Sequence, residues 1–209
     1  MLRRALAFAL AFLLVTAPLT AAQNSLGVVT QSSGGHLNNA AASAGATLYI
    51  GDRLGTDSKG AMALRAGTVQ LILSDDSVLF MNGDASGLVP RLDRGTVAFH
   101  VEGNENFRLT AADVTVRAQS PVPTSGQVTL ERCDVLVTSR DKPLEVTAGK
   151  ETKIVGEGKT VRVDLVGACA QNRGPVTAGQ SRFWVLAATL TGVVTYLAVS
   201  EALESPDRP

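Results

Sequence analysis

The chain has 209 residues, with 19 basic and 19 acidic residues and a formal net charge of +0. A chain without a basic field has little to attract phosphates, so this balance argues against a nucleic-acid-binding protein. Aromatic residues make up only 4% of the chain, while Val, Thr, Leu, Ala and Gly are plentiful. That composition is more typical of tightly packed short strands than of a ligand barrel lined with aromatic side chains.

The first 22 residues have the pattern of an export signal. Arg3 and Arg4 precede an apolar run from Ala5 to Val15, and small residues follow at Thr20-Ala21-Ala22. The apolar run is too short for a membrane-spanning helix. We therefore predict cleavage after Ala22 and export to the periplasm or another extracytoplasmic face. The alternative is an uncleaved signal anchor.

Residues 23–166 predict an all-β domain of short, stacked, antiparallel strands. Apolar and polar residues alternate in runs such as Val69–Leu73 and Val161–Val163, and a period of two buries one face of a strand. Between residues 27 and 165 we find no long apolar pattern at helical spacing. The alternation favours neither a solenoid-like nor a sandwich-like arrangement of these strands.

Turn-forming residues divide the predicted strands. We expect a first strand at Leu26–Thr30 and a loop or wide turn from Gln31 to Gly45. Asn82-Gly83 is the strongest hairpin dipeptide in the chain. The other predicted turns are rich in Gly, Asp and Ser; they lie at Gly51-Asp52, Asp57–Gly60, Ala66-Gly67, Asp75–Ser77 and Asp93–Gly95.

Four segments between about Gly27 and Val163 resemble, in order, the FecR domain. The segments are Gly51-Asp52-Arg53-Leu54-Gly55-Thr56, similar to the family's Gly-Asp-x-Leu-x-Thr turn; the runs through Leu64 and Leu71 that end at Asp76-Ser77; Leu92–Val97, similar to Leu-x-x-Gly-x-Val; and Leu144–Lys150, similar to the family's closing strand and turn. The resemblance implies an all-β domain. It identifies as family signature residues Gly51, Asp52, Leu54, Thr56, Gly95 and Gly149.

The chain also departs from the family pattern. Ser120-Pro121 stands where the family usually has Gly-Thr. The best-known FecR members are iron-uptake regulators with a cytoplasmic sigma-factor-binding segment, a membrane helix and a periplasmic domain. Because a signal peptide is predicted at the N-terminus here, we expect the exported, stand-alone type that ends in a hydrophobic segment.

The C-terminal part predicts a membrane anchor. Residues 167–181 predict a flexible tether, residues 182–200 a hydrophobic helix and residues 201–209 a short polar tail. The uncharged run Phe183–Val199 would be roughly 25 Å long as a helix, just enough to cross a thin bilayer. The alternative is a helix packed against the β-domain.

Two features of this run fit a transmembrane helix. Trp184 and Tyr196 lie near its two ends, where interfacial aromatic residues are common. Ala188 and Gly192 form a small-xxx-small pair, which would permit close helix pairing and a homo-oligomer.

The two cysteines, Cys133 and Cys169, lie on the last predicted strands and at the start of the tether. In an exported protein two cysteines can form a disulfide. We predict that they pair and fasten the tether to the sheet. Two separate thiols are the alternative.

No constellation of residues predicts catalysis, a cofactor or a metal. His36 and His100 have no further ligand at zinc spacing, and no Gly-x-Ser-x-Gly motif is present. Asp75, Asp76 and Asp84 lack the spacing of a calcium loop, and turn formation accounts for them. We therefore expect a protein that is not an enzyme.

The function expected from the sequence is binding. Edge strands offer main-chain groups to which another envelope protein or a surface polymer could bind. We expect a non-enzymatic extracytoplasmic module anchored to the membrane through residues 183–199. The alternative is a FecR-type signalling regulator that acts on a sigma-factor system, and an envelope enzyme comes third.

Overall fold

The structure is a computed structural model, and it describes residues 25–84, 87–103, 106–119, 121–165 and 183–186. The predicted signal peptide, the tether, most of the predicted C-terminal helix and the polar tail lie outside these ranges. Regular structure in the described residues is all β, as predicted, with no helix. The strands are β1 Gly27–Leu37, β2 Ala40–Ala41, β3 Thr47–Leu48, β4 Arg53–Ala66, β5 Val69–Leu73, β6 Val78–Phe80, β7 Gly83–Asp84, β8 Gly87–Leu88, β9 Arg91–Val101, β10 Arg108–Ala111, β11 Val114–Ala118, β12 Thr124–Leu130, β13 Asp134–Ser139, β14 Leu144–Ala148, β15 Glu151–Val155, β16 Thr160–Asp164 and β17 Phe183–Leu186.

Strand β9 is the centre of the fold. Its first half pairs with β6 on one side and with β10 on the other, whereas its second half pairs with β5 and β12. From β9 the sheet runs through β10, β11 and β14 to β15, and in the other direction through β12, β13 and β16 to β17. The β9–β10 pairing is parallel, so the sheet is not antiparallel throughout.

Strands β5 and β6 lie end to end in one position between β4 and β9. Both are antiparallel to β4, and both are antiparallel to β9. They act as a single strand that is interrupted by residues 74–77. Strand β4 in turn pairs along most of its length with β1.

The sheet curves around one hydrophobic core. That core takes side chains from both ends of the sheet, including Val29, Leu71, Val146 and Phe183. Side chains from the two terminal strands meet there, since the Lys153 ammonium of β15 lies 5.9 Å from the centre of the Phe183 ring of β17. This arrangement is closer to sandwich-like than to solenoid-like, because strands distant in sequence share the same interior.

The predicted alternation is confirmed in β5, β11 and β16. Inward side chains are buried at Val69, Leu71, Leu73, Val114, Val116, Val161 and Val163. Because successive side chains of a strand point to opposite faces, this pattern fixes which face of each strand meets the core.

The predicted loop from Gln31 to Gly45 is wrong over its first half, because β1 continues to Leu37. Small residues make this pairing possible. A Cβ added at Gly60 of β4 would lie only 2.6 Å from the Gly34 carbonyl oxygen. The Gly- and Ser-rich composition that predicts a loop here instead lets two backbones approach closely.

The predicted turn at Asp57–Gly60 lies within β4 and does not end it, since the strand continues to Ala66. On β1, Ser33 pairs with Ala61 and Gly35 pairs with Thr56, so residues 57–60 of β4 stand opposite Gly34 alone. Residues 57–60 therefore form a four-residue bulge, which accommodates the turn-forming side chains without ending the strand.

Two further turn predictions need correction. Gly83 belongs to β7 and pairs with Leu88, while Asp84 pairs with Gly87, so the hairpin reverses after Asn82-Gly83 and not at it. Asp93–Gly95 does not separate two strands either, because it is an irregularity within β9. By contrast, turns form as predicted at Gly51-Asp52, at Ala66-Gly67 and at Asp75–Ser77.

The predicted C-terminal helix includes residues 183–186, which instead form strand β17. Phe183 pairs with Val163 of β16 and is buried in the core. The indole N–H of Trp184 donates a hydrogen bond to Asp164 Oδ2 at 2.9 Å, so this residue contacts the sheet. Within the described ranges no helix is long and apolar enough to cross a membrane.

Core packing around Gly126 of β12 gives a first prediction. A Cβ at this position would lie 2.7 Å from Phe99 Cζ and 2.8 Å from Leu144 Cδ1. Gly126→Ala should therefore overpack the core and lower the free energy of unfolding by about 1–3 kcal/mol, measured by urea unfolding. Gly156→Ala is the control, because its nearest neighbour would be Lys159 Cδ at 3.7 Å. Equal stability of the two variants would show that Phe99 has room to move.

Candidate functional site: signature turns and an open sheet edge

The first signature turn is held by the side chain of Asp52. Its carboxylate accepts hydrogen bonds from the Tyr49 backbone N–H at 2.7 Å and from Asn38 Nδ2 at 2.6 Å. Asn38 Oδ1 in turn accepts the Arg53 backbone N–H at 2.8 Å. Gly51 has a φ of 94°, a conformation that favours glycine. The turn is thus locked to the end of β1.

The last residues of the same motif reach into the interruption between β5 and β6. Leu54 is fully buried in the core. The Thr56 hydroxyl donates to the Ser74 carbonyl oxygen, and it accepts the Ser77 backbone N–H at 3.0 Å. The Thr56 backbone N–H donates to the Ser77 carbonyl oxygen, also at 3.0 Å.

The signature residue Gly95 lies on the other side of this interruption. The Ser77 hydroxyl accepts the Thr96 backbone N–H at 2.9 Å and lies 3.0 Å from the Thr96 carbonyl oxygen. Gly95 has a φ of 83°, and a Cβ there would lie 2.6 Å from Ser77 Cα. Only glycine fits this close approach.

Thr56, Ser77 and Gly95 therefore form one structure, which we call the hydroxyl knot. Two side-chain hydroxyls supply the hydrogen bonds that β4 and β9 would otherwise make to an uninterrupted strand. Ser77 is completely buried and Thr56 nearly so. The arrangement explains these signature residues through folding, since their polar atoms already have partners within the protein.

Gly149 has a different role, because it forms the turn between β14 and β15. Ala148 pairs with Glu151 across a two-residue turn, and Gly149 has a φ of 61°. A positive φ at the first central residue is typical of tight hairpin turns. This residue therefore positions β15 at one end of the sheet.

Strand β15 is an open edge. It pairs only with β14 among the described strands. Because Ala148 and Glu151 directly flank a two-residue turn, they exchange hydrogen bonds, and the alternation of an antiparallel pair makes Lys153 bond to β14 as well. The N–H and C=O groups of Thr152 and Ile154 therefore point away from the sheet. Ile154 is 44% exposed.

Cys133 precedes β13 and is disulfide-bonded. Its carbonyl oxygen also accepts the Leu165 backbone N–H at 2.9 Å. Cys169 lies outside the described residues, so its pairing with Cys133 stays a prediction.

A charged pair lies next to this cysteine. The Arg162 guanidinium donates a hydrogen bond to Asp134 Oδ2, and the side chains are 31% and 5% exposed. This hydrogen bond raises the pKa of Arg162 above its ordinary value. The contribution of such a group to folding stability is fully present at any pH below its unfolded-state pKa. It is lost only as the pH rises through the higher, folded-state pKa. The guanidinium therefore stays charged through the neutral range.

Among the described residues, neither histidine has both a carboxylate and a hydroxyl beside it, since His36 contacts only the first and His100 only the second. His36 Nε2 lies 3.0 Å from Asp57 Oδ1 on the exposed bulge. His100 Nδ1 lies 2.8 Å from the Ser125 hydroxyl, but the nearby Asp141 carboxylate accepts the Ser125 backbone N–H. A triad requires a carboxylate that orients the imidazole. In the part of the chain that the structure describes, no group of three His, Cys, Asp or Glu residues could hold a metal ion.

Comparisons with known proteins support the fold. No protein-family model matches the chain, and no curated protein matches it. A crystal structure of a candidate anti-sigma factor from Parabacteroides distasonis ATCC 8503 is similar, with a TM-score of 0.54 and 12% sequence identity over 69% of this chain and 64% of that one. This chain therefore spans less than two thirds of that protein. A second such structure from the same organism has a TM-score of 0.48 and 12% identity, over 55% of each chain.

The hydroxyl knot gives a second prediction. Gly95→Ala should lower the free energy of unfolding by about 2–4 kcal/mol, because backbone strain and the contact with Ser77 add together. Gly103→Ala is a matched control, since Gly103 has a φ of 84° and no atom within 4 Å of an added Cβ. It should lose only the strain contribution, about 1–2 kcal/mol. Urea unfolding of both variants measures the difference, and equal losses would contradict the contact.

The buried ion pair gives a third prediction. Arg162→Met should destabilise the protein by about 1–3 kcal/mol, because the buried Asp134 carboxylate loses the hydrogen bond from this guanidinium. Replacing both residues, as Asp134→Leu with Arg162→Met, should recover most of that loss. Arg65→Met is the control, because its ion pair with Glu102 is 3.4 Å long and half exposed, and should change stability by less than about 1 kcal/mol. A double variant no more stable than Arg162→Met would argue against this account.

Proposed function

We propose that this β-domain is the protein-binding domain of a FecR-type signalling regulator in the cell envelope. The observation that carries the proposal is the fold similarity to a candidate anti-sigma factor, together with the four signature segments. The similarity spans part of that protein, and it supports the regulator over the stand-alone, membrane-tethered module expected from the sequence. Both functions require a partner that binds this domain outside the cytoplasm.

We further propose that the protein is not an enzyme. Polar groups at the signature positions bind one another in the hydroxyl knot and in the Asp52 turn, which leaves them no evident role in chemistry. The described residues that form the cleft between β15 and β16 enclose about 30 Å³, far below the volume of an ordinary ligand site. Recognition through main-chain groups fits such a surface better.

The proposed binding surface is the open edge of β15. The outward N–H and C=O groups of Thr152 and Ile154 could pair with an extended segment of another protein by strand addition. This mode needs no special side chains, in keeping with a domain that carries no recognisable catalytic set. Export through residues 1–22 is part of the proposal. A membrane-spanning anchor is not, because residues 187–199, the part of the predicted apolar run that follows β17, would be only about 20 Å long as a helix.

The fourth prediction concerns transcription. Deleting the gene in its own host should change a small, coherent set of transcripts, and the wild-type gene should restore them. The matched pair of variants is Ile154→Pro and Ile154→Thr. Both remove the exposed side chain, but only proline removes the outward N–H, and at an edge it costs no bond to β14. Ile154→Thr should restore the transcripts and Ile154→Pro should not.

RNA sequencing of the four strains, with immunoblots to match protein levels, is the measurement. If deletion leaves transcription unchanged under envelope stress and under iron limitation, the regulator proposal fails. If Ile154→Pro restores transcription fully, the regulator stands and the β15 edge is not its binding surface.

A further inference from the structure

We infer that the β15 edge is specific for an acidic extended peptide, one that places Asp or Glu opposite Lys153. The inference rests on the proposed function, because it specifies the chemistry of the partner that the edge would bind. Its evidence is the position of Lys153 beside main-chain groups that point out of the sheet.

Lys153 is the central residue of the edge. Its side chain shares a face of β15 with the buried Val155, and its ammonium lies over the Phe183 ring. Its cross-strand neighbour on β14 is Val146, which offers no charge. Elsewhere on the sheet a cation faces a carboxylate on the adjacent strand, as Arg117 faces Glu145 at 2.7 Å. The position that would hold an acid for Lys153 lies on a strand added to β15.

A small cleft beside Lys153 limits what can enter next to it. The cleft between β15 and β16 is lined by Lys153, Ile154, Val155, Gly156, Lys159, Thr160 and Val161, and this lining contains two lysines and no acid. Its volume of about 30 Å³ admits the tip of a side chain and not a free ligand. The exposed wall of the cleft is apolar, so an acid on the added strand would meet the Lys153 ammonium, and the cleft would take only aliphatic atoms.

The same lysine argues against a second copy of this chain as the partner. In the antiparallel self-pairing that uses both outward residues, Thr152 of one copy bonds to Ile154 of the other. Lys153 then faces Lys153 in a non-hydrogen-bonded pair, where Cα atoms are about 4.5 Å apart. Like charges directly opposite each other destabilise a sheet, and an edge lysine is a common defence against self-association.

Apolar contacts would complete the recognition. Ile154 on β15 is 44% exposed. It lies on the outer face, since its sequence neighbour Val155 points into the core. A β-branched residue on the outer face of the added strand would cover Ile154. The expected ligand therefore carries an acid on its inner face, opposite Lys153, and β-branched residues on its outer face.

The fifth prediction tests this charge preference directly. The probes are fluorescent nine-residue peptides of alternating Val and Thr, with Glu, Gln or Lys at the centre, titrated against the full-length purified chain in 50 mM salt. The Glu peptide should bind about fivefold more tightly than the Gln peptide, and the Lys peptide should bind most weakly. At 500 mM salt these differences should shrink, because screening weakens exposed charge pairs.

Lys153→Glu should reverse the order, so that the Lys peptide binds best, while Ile154→Pro should abolish binding of all three peptides. Urea unfolding of each variant establishes that it is folded. Equal affinities of wild-type protein for the Glu, Gln and Lys peptides, or an unchanged order in Lys153→Glu, would overturn the inference. Such a result would leave the regulator proposal intact, because that proposal fails only if deletion leaves transcription unchanged.

Discussion

The fold depends on one constraint, namely that β9 must belong to two sets of neighbours at once. Its first half lies between β6 and β10 and its second half between β5 and β12. A regular strand cannot change partners on both sides without a break in its hydrogen bonding. Gly95 supplies that break, and the Thr56 and Ser77 hydroxyls satisfy the backbone groups around it. Residues separated by nearly forty positions in sequence thus depend on one another.

This constraint gives the FecR-like motifs a physical meaning. An interruption of the strand between β4 and β9 leaves buried N–H groups without a strand to bond to. Each of these groups would cost free energy if it had no other partner. Thr at position 56, Ser at 77 and Gly at 95 meet that requirement with three side chains. The resemblance therefore concerns a way of building the sheet, and it leaves the surface free to vary in what it binds.

The surface follows from how the sheet ends. The core takes side chains from both β15 and β17, but β15 keeps its outward main-chain groups, with Ile154 and Lys153 beside them. Recognition through such an edge uses backbone hydrogen bonds for affinity and a few side chains for choice of partner. A domain of this kind can serve in signalling without any catalytic residue, because its output is the binding event.

The sequence by itself determined the all-β class, the buried faces of β5, β11 and β16, and the turns at Gly51-Asp52, Ala66-Gly67 and Asp75–Ser77, because period-two burial and turn-forming residues are local properties of the chain. It misjudged Gln31–Leu37, where loop-like residues lie within β1, and it did not show that the turn at Asp57–Gly60 is contained within β4, because only pairing between β1 and β4 decides that. The hydroxyl knot, the strand at Phe183–Leu186 and the open β15 edge were decided by the tertiary structure alone. Each depends on which distant strands become neighbours, and periodicity along one strand does not contain that information.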